Sequence, residues 1–129
     1  MKIKSLAIIL SIMAVNAISA QSTFEKWPAI KAFHEVMSQT FHPSEEGNLA
    51  PIKSRSEELM NRATAVLKSD IPAEFKTPAI LASTEKLQIK SKALHKMVVE
   101  KGSDAEITKS LSELHDVFHE IVGLCSEKK

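Results

Sequence analysis

Three histidines, His34, His115 and His119, have the type and spacing to bind a transition metal ion. Residues four apart share one face of a helix, so His115 and His119 would present two imidazoles together, and a facing helix would bring His34 as the third. Zinc or copper suits such nitrogen ligands, and the sulfur groups of Met37 and Cys125 would turn the preference towards copper(I). The plainer alternative is that His34 is a hydrogen-bonded core residue, that His119 is solvated, and that Cys125 is a small buried apolar residue. A second group, His42 with Ser44, Glu45 and Glu46, falls at the same end of the expected fold as Glu100 and Asp104. There imidazole and carboxylates would hold a divalent cation. The same acidic residues also suit a turn that ends one helix and starts another, since negative charge is favourable ahead of a helix.

Motifs for other chemistries are missing. The chain has no His-Glu-x-x-His, no Cys-x-x-Cys-His, no phosphate loop and no nucleophile elbow. The acid-x-x-His spacing of Asp116 and His119 has no second copy, and its carboxylate falls off the apolar stripe, so a di-iron centre is not expected. These absences give no indication of an enzyme.

The elements that must position the histidines are four amphipathic helices. The first is expected over 28–42, with Pro28 in the first position and Ile30, Phe33, Met37 and Phe41 on one stripe after Trp27. His34 falls inside that stripe, and 21–27 reads as a short lead-in. His42 precedes Pro43 and should leave the helical region, and Gly47 and Asn48 then open a second helix over 49–69. Its inward positions are Leu49, Ile52, Leu59, Ala63 and Val66, joined by Ser56, whose hydroxyl would most simply bond back to its own helix. Thr77-Pro78 starts a third helix over 78–101, with Ile80, Leu87, Leu94 and Val98 inward, His95 one residue off the seam, and Gly102 as terminator. Ser103-Asp104-Ala105-Glu106 is a capping box for the fourth helix, 104–125. There Ile107, Leu111, Leu114, Phe118, Ile121 and Cys125 repeat at alternating spacings of three and four, with His115 and Val122 on the border. Short connections between four such helices predict an all-α, antiparallel up-down-up-down four-helix bundle, in which His34 comes to about the depth of His115.

Composition agrees with helices: the 129 residues include three glycines and no tyrosine, which is poor material for a sheet. Met1-Lys2-Ile3-Lys4 and the uncharged run to Ala20 have the order of a secretory signal peptide, too short in its apolar part for the roughly 20 residues of a spanning helix. The expected organisation is a signal peptide over 1–20 and one helical domain over 21–129, periplasmic or secreted, with no membrane contact after cleavage. Without Lys2 and Lys4, the 17 basic residues fall to 15 against 16 acidic ones, which gives no electrostatic footprint for nucleic acid. One cysteine cannot form an internal disulfide, so packing must supply the stability.

With this order of elements the chain resembles the cytochrome b562 and cytochrome c′ group of exported four-helix bundles. That group carries haem between the first and last helices. The resemblance implies a methionine on the first helix and a histidine on the last as axial ligands, a pattern matched by Met37 with His115 or His119. Met37 lies deeper in its helix than the group's methionine, and the end Cys125-Ser126-Glu127-Lys128 lacks the covalent attachment motif, so only non-covalent haem is implied. The phrases Phe41 to Leu49 and Leu114 to Cys125 are also similar to short exported bacterial four-helix-bundle proteins of unassigned function, a likeness that implies a shared fold and no activity.

Overall fold

The computed structural model describes residues 21–127, so the expected signal peptide lies outside the described residues. The described chain is all-α, with no strand: α1 spans Pro28–Glu45, α2 Ala50–Lys68, α3 Pro78–Val99 and α4 Asp104–Glu127, with a short 3-10 turn at Ala73–Phe75. Each long helix packs on the next, and α1 also meets α4 along a sparser seam, so the arrangement is bundle-like. No described helix is long and apolar enough to cross a membrane.

The helix starts follow local chemistry. Thr77 caps α3 by accepting a hydrogen bond from the Ile80 amide at 3.2 Å, and proline occupies the first turn of α1, α2 and α3. The capping box of α4 forms in both directions: the Glu106 amide donates to the Ser103 hydroxyl at 3.1 Å, and the Ser103 amide donates to the Glu106 carboxylate at 3.0 Å. Asn48 acts one position earlier than expected, its Oδ1 accepting from the Ala50 amide at 3.1 Å beside the N-cap Leu49.

Two ends differ from the sequence expectation. The first helix does not stop at His42 but continues through Pro43 to Glu45. Proline removes only its own N–H, and the last turn recovers order through the Ser44 hydroxyl donating to the Phe41 carbonyl at 2.6 Å and through Gly47 in a left-handed turn, φ 85°. The residue that takes the left-handed conformation after α3 is Lys101, φ 61°, not Gly102. The Gly102 amide donates to the Met97 carbonyl and the Lys101 amide to that of Val98, the paired bonds of a Schellman end. Gly102 is needed for space, since a Cβ there would stand 2.7 Å from Met97 Cγ.

The six apolar residues of α4 and the five expected inward residues from Leu49 to Val66 are buried, whereas Phe41 of the first stripe and Val98 of the third are only partly so. The core also holds residues with no helical signature: Ile71 and Phe75 from the α2–α3 connection, with Phe75 stacked on Trp27 at 6.0 Å. Residues 21–26 are helical rather than irregular, which brings Phe24 onto the α1–α4 seam.

Candidate functional site

Four of the five histidines gather on the α1–α4 seam, interleaved with phenylalanines. Helical periodicity puts His115 and His119 one turn apart on the border of the α4 stripe, and their Nε2 atoms meet at 3.2 Å with the rings at 77°. Without an ion, one imidazole donates and the other accepts. Phe41 of α1 lies flat against His115, ring centres 3.8 Å apart and planes within 6°, which fixes the orientation of that imidazole.

His34 occupies a different setting on the same seam. Its ring forms a triangle with Phe24 and Phe118, at 4.9 and 5.2 Å, and is half-buried by them. Burial, then the charges of His119 and His42, hold its imidazole below the ordinary value, with Glu35 opposing. Burial and then His119 act the same way on His115, opposed by Asp116 and Glu45. Both rings therefore favour the neutral form, which is the form that binds metals.

The structure brings His115 and His119 into contact and leaves His34 across the seam, packed by two rings. Among the described residues, no three His, Cys, Asp or Glu side chains stand together in ligating positions. The soft ligands lie away from the seam surface. Met37 is 1 % exposed within the core, so its thioether would reach a haem iron only if α1 and α4 parted. Cys125 is buried on the same stripe, and burial followed by the Glu74 charge pushes its thiol up to about 11.

Sequence reasoning missed the partner of Ser56. Its hydroxyl does not bond back to α2 but meets His95 Nδ1 at 2.9 Å, tying α2 to α3 beside Arg55, where the helix is locally unwound (φ −122°, ψ 15°). Position alone put His95 near that seam, but a partner 39 residues away leaves no local signal. Ser83, Thr84 and Ser91 are also buried on α3; Ser83 donates to Glu120 of α4, and Thr84 donates to the Leu81 carbonyl.

No protein-family model matches the chain, and neither a curated protein nor a solved structure matches it at the required significance.

Proposed function

We propose that the protein is an exported antiparallel four-helix bundle that binds a divalent transition metal ion, zinc(II) or copper(II), through His115 and His119. The observation that carries this reading is the 3.2 Å approach of the two Nε2 atoms. Two imidazoles on a zinc ion at 2.0–2.1 Å with tetrahedral angles stand about 3.3 Å apart, and cis ligands on a square-planar copper(II) about 2.9 Å. The free pair already lies between those values, so binding needs the donating imidazole to move its proton to Nδ1 and the two lone pairs to turn to the ion, with little change in the separation of the nitrogens. Burial of Met37 and Cys125 leaves nitrogen and oxygen ligands on the seam, which favours borderline divalent ions over copper(I). His34 lies across the seam from the pair, and the pairings Phe41 with His115 and Phe33 with Phe118 fit antiparallel packing of α1 on α4.

Calorimetric titration of the purified protein with zinc and copper tests the reading. One ion per chain should bind tighter than micromolar, and His115→Ala or His119→Ala should abolish it. Binding that is weaker, or that His115→Ala leaves unchanged, overturns the reading.

A further inference from the structure

The three large apolar side chains that stand exposed among the described residues all belong to α3: Leu81, 39 % exposed, Ile89, 64 %, and Val99, 63 %. The core side of this helix is supplied by Ile80, Leu87 and Leu94, which are buried, so Leu81, Ile89 and Val99 face outward. Apolar residues scattered singly over a surface are ordinary, but these share one stripe with Glu85, Lys92 and Lys96, also exposed. The spacings along it, from Leu81 to Val99, are four, four, three, four and three, which keeps all six residues on one helix face. Its charges are unpartnered within the chain. Lys86 and Lys90 of the same helix are tied to Glu120 and Glu113 of α4 at 3.6 and 3.7 Å, whereas among the described residues Glu85, Lys92 and Lys96 make no ion pair. Lys92 and Lys96 are like charges one turn apart, an unfavourable arrangement that a carboxylate arriving from outside relieves.

The order of the stripe is complementary to itself when reversed. With two copies antiparallel about a two-fold axis near Lys90, midway between Leu81 and Val99, Leu81 meets Val99 and Glu85 meets Lys96. Ile89 then lies under the aliphatic stem of Lys92, whose ammonium stays in water. Each contact occurs twice, as a two-fold interface requires. We propose that this outward face of α3 is a dimer interface, on which a second copy packs its own α3 antiparallel and exchanges Glu85–Lys96 ion pairs across the axis. The face is separate from the histidine pair, which lies on the α1–α4 seam, so the inference does not depend on metal binding. An anionic membrane surface fits less well, because Glu85 stands within the stripe and such a surface repels carboxylates. The stripe runs about 27 Å along one helix, which puts the contact at the small end of specific interfaces, so the dimer should be reversible and grow with protein concentration.

Sedimentation velocity of the purified protein, run over a range of concentrations with a chelator present, tests this apart from any metal. A monomer–dimer equilibrium is expected. Ile89→Lys sets further positive charge beside Lys92 of the second copy and should abolish it. Glu85→Lys and Lys96→Glu should each weaken it at least about tenfold, since the like-charge clash occurs twice. Joining Glu85→Lys with Lys96→Glu should restore it, because the ion pair is exchanged rather than removed. Every variant should keep the helicity of wild type by circular dichroism, as the substituted side chains are exposed. A wild type that stays monomeric at every concentration overturns the proposal, and so does a dimer that Ile89→Lys leaves intact. A double variant as weak as the single ones overturns the antiparallel pairing. Flotation of a monomeric wild type with vesicles of anionic phospholipid makes the face a membrane surface and equally overturns the dimer.

Discussion

Lys101 holds φ 61°, a left-handed conformation that costs a residue with a side chain about 1–2 kcal/mol and glycine almost nothing. Lys101→Gly loses part of that gain to the looser unfolded chain, so a net stabilisation of about 0.5–1 kcal/mol is expected in urea unfolding. The opposite sign is expected at the next residue: Gly102→Ala forces Met97 to move and should destabilise. His34 gives a pH dependence. Its folded imidazole is held below 6.5 while the unfolded chain titrates near that value, so over the interval between them the unfolded state binds more protons. Stability is therefore full above pH 6.5 and falls as pH drops through 6.5 towards the lowered folded value. The melting temperature should decline from pH 7 to pH 5, and His34→Leu should lessen that decline while leaving the part that the lowered His115 contributes.

Among the elements, α4 was the most legible, because a capping box and an unbroken stripe are both local signals and both form as the residues require. Ser103→Ala removes the acceptor for the Glu106 amide and should cost about 1 kcal/mol, measured as a lower denaturation midpoint at unchanged slope. The end of α1 was misread by three residues, since the rule for residues before proline is a bias and the Ser44 and Gly47 arrangement outweighs it. The α2–α3 connection was illegible for another reason: Phe75 stacks on Trp27 and Ile71 joins the core with it, neither marked by any periodicity of its own. Ser56 with His95 belongs to the same class of long-range pairing. A double-mutant cycle of Ser56→Ala and His95→Leu should return a coupling of about 0.5–1.5 kcal/mol.

For the molecule as a whole, the candidate site was legible in part. Spacing alone joined His115 to His119, and the expected order of helices put His34 opposite them. Of the two phenylalanines that stack on His34, Phe118 was legible on the α4 stripe and Phe24 was not, because it arrives from residues read as a lead-in. An ion present at 100 times its dissociation constant should stabilise the fold by about 2.7 kcal/mol, seen as a zinc-dependent melting temperature that His115→Ala abolishes. The sparse α1–α4 seam has a further consequence for how the native protein opens. Its rings come from residues roughly seventy or more positions apart, so closing it carries the largest loop entropy of the four helix pairings while supplying the fewest contacts in return. The two outer helices should therefore part while α2 and α3 stay joined, and amide hydrogens facing that seam should exchange with solvent through this partial opening, well before those of the α2–α3 pair.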